Sequence, residues 1–205
     1  MRNYLTFPRL LPRIALLGAI LASGSVNIQA AEFTRMTVLG RTSQPIGHYN
    51  YCLEYPADCS SNVVSPIAPK LTEEKWRQLI ETNYMANKSV EPVTDLEQYN
   101  LEEHWTLPGK YGDCEDYVLL KRQLLIDKGW PVSSLLVTVV KQLGGEGHAV
   151  LTVRTAKSDY ILDNLNAKVL PWNKTEYRYL KRQSTLHSGR WTDIQDSRDI
   201  VGAIN

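Results

Sequence analysis

The spacing of apolar side chains divides the chain into a short apolar leader, two helices and a run of strands. Ile14 to Ala22 is almost wholly apolar, follows Arg2, Arg9 and Arg13, and gives way to Ser23, Gly24 and Ser25. From 31 to 70 the apolar positions have little period, and Pro45, Pro56, Pro66 and Pro69 interrupt them, which predicts an irregular surface arm. Trp76, Leu79, Ile80, Asn83 and Tyr84 recur at helical spacing, predicting a helix over 71–88 with Thr72 as N-cap and that stripe in the core. Pro92, Asp95, Pro108, Gly109 and Gly112 mark 89–112 as a loop. A second helix is predicted over 114–128, with Asp113 at its N-cap, Asp116 in its first turn, and Gly129 and Pro131 ending it. Its buried face would be Tyr117, Val118, Leu120, Leu124 and Leu125.

After Pro131 the period changes to alternation. Leu135–Val140, His148–Arg154 and Tyr160–Asn164 read as strands, and Val169–Trp172, Tyr177–Gln183 and Arg190–Ile194 as further ones. Helices first and strands later predict an α+β fold, with an antiparallel sheet packed against the helices.

Composition adds an address. With 205 residues, 43% apolar and 22% charged, the chain falls in the globular range, which excludes a disordered or multi-pass membrane chain. The apolar run at the start is too short to span about 30 Å of hydrocarbon. With its basic flank and the small residue Ala30 it reads as a secretory signal over 1–30, cleaved after Ala30 or Ala31. Residues 31–205 would then be a single domain, periplasmic or secreted. The chain has 23 basic and 22 acidic groups, a net charge of +1, so it has no electrostatic case for nucleic-acid binding.

The cysteines suit an exported protein. Cys52 and Cys59 flank the turn formers Pro56 and Asp58, so a disulfide between them closes a small loop. Cys114 is then left over and needs either burial or a role; it is also available as one half of a bridged pair. Its predicted place in the first turn of a helix favours the thiolate. Asp113, Glu115 and Asp116 oppose that, because their charges raise a neighbouring thiol pKa. A histidine partner, a hard cation, or both would resolve the conflict.

His148 follows the glycine-rich 144–147 loop and begins a strand, and Asp163 lies on the next one. A hairpin loop with an even number of residues puts both side chains on one face, whereas an odd, unbulged loop splits them. Together Cys114, His148 and Asp163 make a candidate nucleophile, base and orienting carboxylate. Zinc is the poorer reading of the same trio, because the adjacent acids suit a hard cation. Trp105 and Trp130 fit a substrate groove or, more commonly, a core.

Gly112-Asp113-Cys114-Glu115-Asp116-Tyr117, Gly147-His148-Ala149-Val150-Leu151 and Leu162-Asp163-Asn164 together resemble the bacterial transglutaminase-like cysteine proteinases, LapG-like enzymes among them. The resemblance runs over about 45–195. It implies a papain-like core with Cys114 as nucleophile, His148 as base and then acid, and Asp163 as the orienting group. The Cys114 N–H would supply part of an oxyanion hole. It further implies calcium on Asp113, Glu115 and Asp116, no organic cofactor, and a protein substrate such as a surface adhesin. An inner-membrane regulatory receptor is implied as well. The expected activity is that of an exported cysteine endopeptidase; the alternatives are a transglutaminase-like acyltransferase and a non-catalytic binding module on the same fold.

Overall fold

The computed structural model describes Met1, residues 35–61 and residues 67–198. The chain divides into Met1–Glu32 and Phe33–Asn205, and the second unit is described here. Apart from Met1, the expected leader lies outside the described residues.

The second unit is built on a seven-stranded antiparallel sheet. In chain order its strands are β1 (Thr37–Thr42), β4 (Leu135–Lys141), β5 (Gly147–Arg154), β6 (Asp159–Leu162), β7 (Leu170–Pro171), β8 (Arg178–Ser184) and β9 (His187–Gln195). In space the order is β1-β9-β8-β4-β5-β6-β7. Between β1 and β4 the chain forms α1 (Ile46–Glu54), α2 (Glu73–Ser89), α3 (Asp95–Tyr99) and α4 (Cys114–Asp127). A two-stranded parallel pair, β2 (Glu91–Pro92) and β3 (Tyr111–Gly112), closes the base of the segment that carries α3. Among the described residues no helix is long and apolar enough to cross a membrane.

Each face of the sheet buries its own apolar cluster, as strand alternation requires. Leu135 and Val137 of β4, Leu151 and Val153 of β5 and Leu162 of β6 pack on Leu79 of α2 and Val118, Leu119 and Leu125 of α4. Trp105 and Trp130 lie in this same cluster, so both are core anchors, each with its indole N–H donating to a side chain, Glu103 and Gln78 respectively. The opposite face gathers Met36, Val140, Val150, Ile161, Trp172, Tyr179 and Ile194.

Four sequence expectations change. The described part of the arm over 31–70 is not mostly irregular: over 35–61, β1 pairs with β9, and α1 packs against β9. β1 is an edge strand with both faces largely exposed, so no alternation marks it. α1 buries only Gly47, His48 and Tyr51, residues that carry no apolar period. Next, the 89–112 loop contains α3, which Thr94 and Glu97 cap reciprocally. Third, the buried stripe of α2 runs through Leu79, Thr82, Asn83 and Ala86, leaving Ile80 and Tyr84 exposed at 44% and 57%. Fourth, α4 is turned so that Leu119, Lys121 and Arg122 are buried while Leu120 and Leu124 are only half-buried.

The β5–β6 hairpin sets the register of the site. Arg154 pairs with Asp159 and Leu151 with Leu162, so the loop is Thr155–Ser158, an even count. His148 and Asp163 therefore fall on one face, two residues out of direct opposition.

Candidate active site

β6 pairs with β5 only from Leu151 onward, which leaves the beginning of β5 open on one side. The N-terminus of α4 fills that notch. Cys114 is the first residue of the 14-residue helix, and the Ala149 N–H of β5 points at its sulfur. His148 is the neighbour of Ala149, and Asp163 is the first residue beyond β6. The three sequence candidates thus come from one helix start, one strand start and one strand end around a single gap.

His148 and Asp163 are joined. Nε2 of the buried imidazole lies 2.9 Å from Oδ1 of the equally buried carboxylate, which leaves Nδ1 as the nitrogen for proton exchange with a thiol. Burial alone would push the Asp163 carboxyl up. Hydrogen bonds from His148 and from the Tyr177 hydroxyl (2.5 Å to Oδ2), the His148 charge and the Leu165 N–H outweigh it, and hold the group below the usual carboxylate range. The Tyr177 ring also lies 5.5 Å from the imidazole, and its hydroxyl is pushed up by burial and by Asp163.

α2 holds the Asp163 segment in place. The buried Asn83 accepts from the Asp163 N–H at 3.0 Å and donates to the carbonyls of Asn166 and Ala167, while Asn87 donates to the Asp163 carbonyl at 2.9 Å. The apolar position expected at Asn83 is therefore a polar clamp. Lys121 of α4 is fully buried, its ammonium 5.7 Å from the Tyr117 ring centre. Burial draws its pKa down to about 7, against the pull of Asp163.

No hydrogen bond joins the Cys114 thiol to the imidazole; the thiol donates to Glu115 Oε2 at 3.2 Å. Burial first, then the charge and hydrogen bond of Glu115, hold the thiol above its ordinary range, with the Ala149 N–H acting in the other direction. Burial and Asp113 push the Glu115 carboxyl up to about 10. Asp113 stands at the N-cap of α4 but makes no side-chain cap; its Oδ2 accepts from the Asp95 N–H at 3.2 Å instead.

Asp95 is the residue that sequence reasoning missed. It is buried, accepts from the His104 N–H, and brings its carboxylate together with those of Asp113 and Asp116, the ligand atoms all within 4.8 Å of one another. Asp116 Oδ1 accepts from the Thr106 N–H at 2.9 Å, and burial pushes the group up to about 7. Asp113 Oδ1 and Asp116 Oδ2 are buried with no hydrogen-bond partner among the described residues. Glu115 sits beside this group with its carboxyl turned to the thiol. The only sequence trace of Asp95 is the capping pattern Thr94-x-x-Glu97, which predicts a helix start but not the direction of its first acid.

The disulfide lies apart from the notch. Cys52 and Cys59 are bridged with Cα atoms 5.6 Å apart, and Cys114 is free. Beside the bridge, the buried His48 contacts Gln44, Gln183 and Trp191.

A helix-borne cysteine at the open edge of an antiparallel sheet, with a histidine–carboxylate pair on the adjoining strands, defines the papain-like, transglutaminase-like class. Within it the family is specific: the sequence model of the bacterial transglutaminase-like cysteine proteinases (BTLCP) matches residues 38–199, and the chain belongs to that family. It is a cysteine peptidase of the transglutaminase-like kind. Among solved structures, calcium-bound LapG of Legionella pneumophila matches with a TM-score of 0.51 at 24% identity, over 65% of this chain and 78% of that one. EGTA-treated LapG of the same organism gives a TM-score of 0.49 at 25% identity, over 65% and 77%. At this identity the calcium-bound structure speaks to the fold. No curated protein matches the chain.

Proposed function

We propose that the chain is an exported cysteine endopeptidase of the cell envelope in which Cys114, His148 and Asp163 form the catalytic triad. The observation that carries this reading is the buried His148–Asp163 pair, whose histidine is the β5 neighbour of Ala149, the residue whose N–H points at the free Cys114 at the start of α4. The basic, apolar leader supports export, to the periplasm or beyond.

Asp163 fixes the imidazole through Nε2, so Nδ1 exchanges protons. Attack requires the thiol to exchange Glu115 for His148. The sulfur then bonds to the scissile carbonyl carbon, and the thiol proton passes to His148. The oxyanion develops near the free N–H groups at the start of α4. His148 returns its proton to the leaving amine as the C–N bond breaks, giving a thioester. Water attacks the thioester, His148 accepts its proton, and the C–S bond breaks to free the acid and regenerate the thiol. An amine in place of water would yield a cross-link.

The acid cluster fits a hard cation: converging carboxylates, two of them with buried oxygens that lack partners, are what calcium coordinates. Asp95, Asp113 and Asp116 would hold it, with Glu115 beside them. The ion would supply positive charge that lets these buried acids ionise together. The substrate proposed is a surface protein such as an adhesin, and the regulator an inner-membrane receptor, both by analogy with the family.

Iodoacetamide labelling of the folded, unreduced protein, mapped by mass spectrometry across pH 4–9, tests the triad. Cys114 should label readily in the wild type and at least about tenfold more slowly in His148→Ala, a fraction of the 10²–10⁴ that a general base contributes to turnover. Labelling that ignores His148→Ala sinks the triad. An amine-linked product on incubation with a protein substrate would move the chemistry to acyl transfer.

A further inference from the structure

The C-terminal half of α4 borders a cavity of about 430 Å³ that the triad does not use. Arg122 lies eight residues after Cys114, about 12 Å along the helix at 1.5 Å per residue. Its side chain lines the cavity although the residue is only 5% exposed. Among the described residues its Nε has no partner, and the hydrogen bond it makes there is Nη2 to Ser188 Oγ at 3.5 Å, the outer limit of such a contact. Asp58, the opposing charge on the same cavity, forms no ion pair with it and already accepts the Tyr51 hydroxyl at 2.6 Å. Ser133, 2% exposed, also lines the cavity, and its Oγ has no partner among the described residues.

A buried guanidinium is expensive unless acceptors surround it, and removing such a charge from water costs several kcal/mol. An unsatisfied buried group in a native protein calls for a reason, and binding of an anion would supply one. Ile126 on the helix, with Pro131 and Val132 after it, forms an apolar side of the wall, and Ser60, Ser61, Gln123 and Ser188 line the remainder with Ala57. The volume falls in the range of about 300–1,000 Å³ typical of small-molecule sites.

We propose that this cavity binds a small carboxylate with an apolar body. The guanidinium fork and the Ser133 hydroxyl take the carboxylate, a pairing that suits the planar, five-donor geometry of arginine. Ile126, Pro131 and Val132 cover the body. The site is independent of the peptidase chemistry.

Thermal unfolding and calorimetric titration with N-acetyl-leucine, against the uncharged N-acetyl-leucine amide and inorganic phosphate, test it. N-acetyl-leucine should bind once per chain and raise Tm by about 2–4 °C at roughly five times its Kd, and the amide should do neither. Arg122→Met should abolish the shift while leaving the free protein as stable as the wild type or more so, since an unpaired buried charge has been removed. Ser133→Ala should weaken binding without lowering the free Tm. A carboxylate without effect, an equal effect of the amide or of phosphate, or a shift that survives Arg122→Met overturns the proposal. So does an Arg122→Met protein that unfolds, because the guanidinium is then a structural partner of Asp58.

Discussion

At the scale of single residues, the tyrosine just before β8 decides how the carboxylate of the proposed triad behaves. Tyr177 donates to Asp163 Oδ2 while His148 occupies Oδ1. A hydrogen bond to a charged group contributes about 1.5–3 kcal/mol, and 1.36 kcal/mol at the transition state is a factor of ten. Tyr177→Phe should therefore lower kcat by about tenfold or more. It should also shift the acid side of the profile. Asp163 titrates below its ordinary range in the folded protein, so its contribution to stability is present above the ordinary aspartate pKa and is lost as pH falls through the folded value. Without the tyrosine that value rises, and both acid unfolding and the acid limb of kcat/KM should move to higher pH. Identical acid limbs in the two proteins would show that Tyr177 does not position Asp163. Sequence alone made Cys114, His148 and Asp163 visible because they stand at element boundaries in a particular order. Tyr177 and Asn83 were hidden: one looks like an ordinary strand aromatic and the other like a place in an apolar stripe, and both act only through tertiary contacts.

At the scale of elements, the start of α4 gathers more acid than its own turn contains. Asp113, Glu115 and Asp116 were legible beside Cys114, whereas Asp95 arrives from α3, held by the β2–β3 clamp and by the His104 N–H. Pairing between segments 18 residues apart leaves no periodic trace. The electrostatic consequence is testable. Burial raises the pKa of Asp95, takes Asp116 to about 7 and Glu115 to about 10. Acids raised in this way contribute stability that is complete below their unfolded values near pH 4 and is lost as pH rises through the folded ones. In EGTA, Tm should therefore fall between pH 5 and pH 8. Calcium at about a hundred times its Kd adds about 2.7 kcal/mol, and so should raise Tm at pH 8 by about 5–10 °C. Asp116→Asn should flatten the pH dependence in EGTA and remove most of the calcium effect. A Tm indifferent to both pH and calcium would mean that the cluster holds no cation.

At the scale of the whole molecule, the α+β class and the antiparallel sheet were readable from the change of period after Pro131, and α2 and α4 from helical spacing, while β1 and α1 were not. β1 shows no alternation because it closes the sheet at an exposed edge, and α1 packs through a glycine, a histidine and a tyrosine. These overlooked pieces reach the candidate site by a continuous route. A Cβ on Gly47 would collide with the Trp105 ring and stand 2.9 Å from Glu103 Oε2, so only glycine lets α1 approach the segment that follows α3. Trp105 in turn packs against His48 and Trp191, and the next N–H, that of Thr106, donates to Asp116. Gly47→Ala gains up to about 1 kcal/mol of helix propensity and loses about 1–3 kcal/mol to overpacking, so the fold survives with a small net change. The displaced indole should carry Thr106 away from Asp116, and a coupling of about 0.5–2 kcal/mol corresponds to calcium binding weakened by roughly 2- to 30-fold. Calcium titration of Gly47→Ala beside the wild type reads this directly. Weakened binding with a nearly unchanged Tm in EGTA makes the 103–106 segment the mechanical link between α1 and the acids beside Cys114. Unchanged affinity would leave the Gly47–Trp105 contact as core packing and nothing more.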